Sequence, residues 1–273
     1  MAVRALYLLV SALLVVTVKT SIIRRDAWSP PREGSDRITG GQPAGVGQFP
    51  YQALIVSDDV EMWGGSLITK KAVLTSAGCT TGHQKFVVRL GGIHRTETES
   101  SAWIVESSWA LTHPDFSMFA YYSYSVAVVY LPEEAPLNSF IGLVALPSPL
   151  EVNDTFVGEN AIIAGWGWPS QNGDASETLQ WTDVTVVPNK VCEQFYESGA
   201  VIDSTLCAGN EYTGSCWGDL GGALVVKTGG GYKQIGVSSF LPWDGGCDVA
   251  GAAAAYVRIT SVLDWITSNA ISV

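Results

Sequence analysis

A chain of 273 residues, 47% hydrophobic and only 15% charged, has the composition of a packed domain and not of a disordered segment. Its net charge of −11 repels phosphate backbones and anionic lipids. That sets nucleic acid and membrane surfaces aside as partners, and solubility in a secretory fluid is the plain account of the charge.

In chain order, Arg4 precedes an apolar run from Ala5 to Val18 that Lys19 ends. The run is shorter than the ~20 residues a bilayer span needs. Residues 1–20 therefore read as a signal peptide, and the protein is expected to be secreted and extracellular; the alternative is an uncleaved signal anchor. Residues 21–37, with Arg24-Arg25 and Pro30-Pro31, read as an exposed propeptide. From Ile38 the text changes to short apolar runs divided by turn residues. Strands are expected at Gln52–Ser57, Ala72–Ala77, Lys85–Leu90, Val126–Leu131, Asn160–Ala164, Thr178–Val187, Leu224–Lys227, Tyr232–Ser239 and Ala253–Ile259. Such spacing without helical patterns between predicts an all-β sandwich or a pair of barrels. A proline-rich stretch, 132–149, marks an internal boundary. Asn153-Asp154-Thr155 is a glycosylation sequon and predicts a surface segment. One helix is expected at the end of the chain. Ser261 and Asp264 are spaced as a capping box, and Val262, Trp265, Ile266 and Asn269 fall on one face.

There are five cysteines, Cys79, Cys192, Cys207, Cys216 and Cys247, and in a secreted chain this implies disulfides with one thiol left over. The three histidines, His83, His94 and His113, lie in loop-like text. Each reads first as a surface histidine and only second as a relocated base.

Several segments, in order, resemble the trypsin/chymotrypsin family of serine proteases over residues 38–273. They are Arg37-Ile38-Thr39-Gly40-Gly41, Gly64-Gly65-Ser66-Leu67-Ile68, Thr75-Ser76-Ala77-Gly78-Cys79, Tyr124-Ser125-Val126-Ala127-Val128, Gly165-Trp166-Gly167 and Cys216-Trp217-Gly218-Asp219-Leu220-Gly221-Gly222. The resemblance implies an all-β fold of two packed antiparallel six-stranded β-barrels with a C-terminal helix. It implies no cofactor and no metal. It also puts the family's histidine at Gly78, its aspartate at Ser125 and its nucleophilic serine at Leu220. That chemistry needs a hydroxyl to attack, an imidazole to carry the proton and a carboxylate to hold the imidazolium. At those places leucine has no nucleophile, glycine has no base and serine has no charge with which to hold an imidazolium. Removing the triad from an active relative is known to cost about a millionfold in turnover. The expectation is a secreted serine protease homologue of the arthropod type. It would work by binding a protein partner (a protease, a zymogen or an inhibitor), as a cofactor or regulator of an extracellular cascade. The alternatives are an active or weakly active serine-type endopeptidase, and a bulk secreted protein of gut, saliva or seminal fluid.

The resemblance further implies bridges Cys192–Cys207 and Cys216–Cys247. A third bridge is lost, because Trp63 stands where the partner of Cys79 belongs; that loop closure is worth roughly 3 kcal/mol. Cys79 is then a buried thiol near Trp63, half of an intermolecular disulfide, or a thiol nucleophile. The substrate pocket would have Gly214 as its floor and Leu241 and Ala254 in place of two wall glycines, so side chains fill it. Trp217, Phe240, Leu241 and Trp243 would make an apolar recognition patch. The Gly218 amide keeps its place in the family's oxyanion hole. Asp219 would receive the Ile38 amine once a separate protease cleaves after Arg37, and this pairing would order the pocket loops.

Overall fold

The computed structural model describes residues 41–170, 172–210, 214–242 and 246–270. The expected signal peptide and propeptide, Arg37, Ile38 and Trp243 lie outside the described residues.

Two antiparallel sheets divide the chain. The first uses β2 (Gln52–Ser57), β3 (Glu61–Thr69), β4 (Ala72–Thr75), β5 (Phe86–Leu90), β6 (Trp103–Ser107), β7 (Ala110–Thr112) and β8 (Ala127–Tyr130), after a short β1 (Gln42–Pro43) that joins the other sheet. The second uses β9 (Asn160–Gly165), β10 (Gln180–Val187), β11 (Thr205–Gly209), β12 (Ala223–Thr228), β13 (Gly231–Phe240) and β14 (Ala254–Arg258). In the second sheet β9 pairs with both β10 and β12, which closes a six-stranded barrel. The first sheet runs β6-β5-β2-β3-β4-β8-β7 and curls without closing. The expected pair of packed antiparallel barrels is found, the first of them as a curled half-barrel. Its edges are a three-residue strand and a strand that turns Ile104 and Glu106 to solvent, and short or charged edges resist further pairing.

The local sequence explains these elements. Strand β2 is buried on nearly every residue and reads as a continuous Ala-Leu-Ile-Val run. Strand β4 ends at Thr75, two residues short of the expected Ala77, because Ala77–Thr80 forms one helical turn. The C-terminal helix spans Ile259–Ala270, so Ser261 lies inside it and the expected cap is not formed. The capping box appears instead at Ser148 and Glu151, with Pro149 in the first turn. Val262, Leu263, Ile266 and Ala270 bury the helix in a core shared by both sheets. Tyr130 of β8 donates its hydroxyl to Asn269 O at 3.0 Å, which ties the helix to the first sheet.

The two halves meet backbone to backbone. The Gly64 N–H donates to Leu220 O at 2.8 Å. A Cβ on Gly64 would stand 2.7 Å from Gly222 N, so only glycine permits the approach. Gly221, at φ +86°, turns under Thr75, whose hydroxyl donates to Gly64 O at 2.7 Å. Ser66 adds a hydrogen bond to Gln234 Oε1 at 2.7 Å. This junction fixes Trp63, beside Gly64, against the turn that carries Leu220.

Candidate functional site

A cleft of about 440 Å³ opens at the junction, lined by Trp63, Ser76, Gly78, Tyr122, Ser125, Trp217, Leu220, Ser239, Phe240, Leu241 and Pro242. Gly78, Ser125 and Leu220, which are 47 and 95 residues apart in the chain, share this one space. Gly78 belongs to the helical turn after β4, Ser125 precedes β8, and Leu220 sits in the turn before β12. Among the described lining residues there is no imidazole, carboxylate, ammonium or guanidinium.

Trp63 occupies the place above Gly78. A Cβ built on Gly78 would lie 2.7 Å from Trp63 Cη2, so no larger side chain fits until the indole moves. Cys79, next in the chain, is fully buried with Phe86 and Val88, and Trp63 packs against that cluster. The Cys79 Sγ lies 3.4 Å from Ser57 Oγ. Burial pushes its thiol up to about 12, which leaves essentially no thiolate at neutral pH. The intermolecular disulfide and the thiol nucleophile are both excluded by that burial, and Cys79 is a packed core thiol.

None of the histidines lines the cleft. His83 Nδ1 is 3.0 Å from Asp58 Oδ2, and its Nε2 is 3.5 Å from Glu61. His94 bridges to Thr178. His113, expected at the surface, is 8% exposed, stacked on Tyr124 at 5.1 Å and set against Trp265 at 4.8 Å. Desolvation lowers its pKa.

The expected pocket is only partly assembled. Trp217, Phe240 and Leu241 line the cleft, whereas Gly214, Gly218 and Ala254 do not. Leu241 and Ala254 are 6% and 4% exposed and belong to the core of the closed barrel, where Leu220 and Trp217 pack against them. Beneath them, the space between Ser215, Asp219, Ser238 and Tyr256 has no room for a water molecule. A Cβ on Gly214 would meet nothing within 4 Å among the described residues. Gly218, at φ +89°, is packed against Met62 and Gly167.

Asp219 is 4% exposed. It accepts hydrogen bonds from Gly167 N at 2.8 Å and Cys216 N at 3.0 Å. Burial lifts its pKa to about 6, against the pull of those two bonds. Gly165 and Gly167 leave the room its carboxylate occupies. The bridges Cys192–Cys207 and Cys216–Cys247 are present, and the second frames the 217–220 turn.

Sequence reasoning missed Ser76, Tyr122, Ser239 and Pro242 as cleft residues, and it placed Trp63 at a lost bridge and not in a wall. Tyr122 comes from an aromatic loop in which Tyr121, Tyr122 and Tyr124 take φ of +49°, +56° and +53°, a region bulky side chains rarely enter. The Tyr121 hydroxyl donates to Glu197 Oε2 at 3.0 Å and anchors the loop across the junction. The signal in the sequence was the Tyr121-Tyr122-Ser123-Tyr124 cluster directly before Ser125.

Two curled antiparallel sheets with a cleft at their junction define the chymotrypsin-like serine protease fold. The sequence model of the trypsin family matches residues 38–266. A collagenase of Hypoderma lineatum is 35% identical over 244 residues, covering 87% of this chain and 88% of that protein. Brachyurin of Leptuca pugilator is 35% identical over 234 residues, covering 85% and 98%. A solved structure of HL collagenase superposes with a TM-score of 0.75 at 34% identity, over 85% of this chain and 98% of that one. This chain therefore belongs to the trypsin family. No helix among the described residues is long and apolar enough to cross a membrane.

Proposed function

We propose that this chain is a secreted, non-catalytic member of the trypsin family that acts by binding a protein, as a cofactor or regulator of an extracellular protease cascade. The observation that carries the reading is the Trp63 indole seated on Gly78, in a cleft whose other family positions hold Ser125 and Leu220. Acyl transfer needs a nucleophile with a base in hydrogen-bond reach, and among the described lining residues the Ser76, Ser125 and Ser239 hydroxyls have no base beside them. The filled space beneath Leu241 removes the seat that would align a peptide carbonyl. The kept Asp219 and its glycine cradle support a switch operated from outside. Cleavage after Arg37 by a separate protease would free the Ile38 amine, and that cation would neutralise the buried carboxylate.

A second reading, a serine-type endopeptidase, draws on the relatives. Those matched include proteins named as a collagenase and as a venom serine protease of Bombus ignitus. One experiment separates the two. The purified chain, before and after cleavage at Arg37, is treated with a fluorophosphonate serine probe and a mixed peptide library. The non-catalytic reading expects no labelling and no turnover in either form. Stoichiometric labelling of any serine establishes the endopeptidase.

A further inference from the structure

We infer that the groove between the 148–152 turn and the C-terminal helix is the seat of an N-linked sugar carried on Asn153. The groove holds about 430 Å³ and is lined by Pro149, Val152, His113 and helix residues 260–265. That volume is in the range of small-ligand sites, and no lining residue is shared with the junction cleft. Its open edge is apolar. Pro149 is exposed, Leu150 is 96% exposed and Val152 is 54% exposed, and Trp265 lies half-buried in the wall. An apolar edge of this kind beside a cavity marks a contact surface. The net charge of −11 sets an anionic polysaccharide aside and leaves a neutral sugar.

The next residue names the occupant. Asn153 follows Val152 directly, is exposed, and its side chain bonds to no described residue. With Asp154 and Thr155 it spells an acceptor sequon. The Asn153 amide nitrogen forms a bond to the anomeric carbon of an oligosaccharide held on a lipid pyrophosphate. The bond from that carbon to the pyrophosphate breaks, the lipid pyrophosphate leaves with the electron pair, and the amide gives one proton to a base. The turn is braced on both sides of the acceptor. Glu151 caps Ser148 and pairs with Lys233 of β13, and Arg258 of β14 donates to Thr155 O at 3.1 Å. The sugar is thus tethered at the edge of the groove, at an effective concentration on the order of millimolar, so a weak contact suffices to fill it. The chemistry also matches. A pyranose presents C–H groups on its faces and hydroxyls around its rim. The faces suit Trp265 and Val152. The Trp265 Nε1 and Ser261 Oγ are not buried and bond to no described residue, so both can meet the hydroxyls, with the Asp264 carboxylate beside them.

The inference rests on the chain entering the secretory route and on nothing about its catalysis. The full chain is expressed in a eukaryotic secretory line and collected from the medium. Mass spectrometry should place a glycan on Asn153. Hydroxyl-radical footprinting then compares this form with two variants that lack the sequon, Asn153→Gln and Thr155→Ala, each shown to be folded by its melting temperature. Oxidation of Trp265 and Val152 should be lower by about threefold in the glycosylated form, as for a seat filled about two-thirds of the time. Val60, exposed in the turn between β2 and β3, should be unchanged. Val152→Glu should keep the glycan and lose the protection of Trp265. If Asn153→Gln does not fold, Thr155→Ala decides. A secreted chain without sugar on Asn153 overturns the inference, as does a glycosylated chain whose footprint equals that of the variants. Protection of the groove in the variants as well overturns it too, since a second copy or another partner then covers this face. Absence of the chain from the medium would overturn the secretory reading along with it, so the two failures are distinguishable.

Discussion

The two halves that meet at the cleft are held together in different ways. The closed barrel keeps its covalent frame, with two disulfides, the buried Asp219 and the glycines around its carboxylate. Its Leu241 and Ala254 lie in the core. The curled sheet has no disulfide among its described residues, and an indole is packed on the glycine beside its free thiol. One half is held by a covalent frame; the other is held by packing. A covalent brace acts largely on the unfolded chain, whereas packing acts on the folded one, so the halves should answer differently to perturbation.

The largest effect is expected at the frame. Cys216→Ala with Cys247→Ala opens a closure spanning 31 residues, worth about 3–4 kcal/mol on the chain-entropy account. Cys79→Ala, in the other half, removes no bridge and should cost clearly less. Denaturant midpoints compare the two, and equal losses would erase the distinction.

Asp219 comes next. A carboxyl raised to about 6 when folded and near 3.9 when unfolded keeps its proton longer in the native state. Below about pH 4 both states hold the proton and there is no penalty. As pH rises from 4 to 6 only the unfolded chain loses it, so stability falls, by an amount on the order of 2–3 kcal/mol, and stays lower above pH 6. The difference between wild type and Asp219→Asn isolates this slope from the carboxylates whose pKa values are lowered. Cleavage after Arg37 sharpens the test: if the freed amine pairs with Asp219, the folded pKa drops and the slope reverses. A slope identical in the cleaved and uncleaved forms would mean that the switch is dead.

At the packed indole, Gly78→His should cost about 1–3 kcal/mol by overpacking against Trp63. Trp63→Ala should recover part of that loss, so the double variant is more stable than the two single losses predict. For the same reason, the triple restoration Gly78→His, Ser125→Asp, Leu220→Ser should give little peptide cleavage while Trp63 and Leu241 remain. Rates typical of the family in that variant would refute the blocked cleft. The smallest effect is at Cys79, which should resist Ellman's reagent in the native state and react only on unfolding.

Much of the fold was legible because buried strands leave apolar runs. Gln52–Ser57 is found with the predicted bounds, and the eight other expected runs overlap one strand each. Strand β3 was not read as one, because Trp63-Gly64-Gly65 looks like a turn. Those glycines are there because another backbone passes within contact, which is a tertiary fact. Strands β6, β7 and β11 are short, and β6 declares itself only by the alternation Trp103, Ile104, Val105, Glu106. Within the site, Gly78, Ser125 and Leu220 were legible through the segments that resemble the trypsin family, and they meet in one cleft. The contact of Trp63 with Gly78 was not, since it depends on the register that brings β3 alongside the turn after β4.

The hydrogen bond from Gly64 to Leu220 reaches further than the junction it closes. It is made by main-chain atoms alone, and the chain direction at residue 220 is set by Gly221 and Gly222, so no side chain at 220 is needed to hold the turn. The turn is therefore held whatever position 220 displays, and the Leu220 side chain is left to pack on the core of the closed barrel. Main-chain atoms set the shape at this position, and the side chain alone sets what it presents to the cleft.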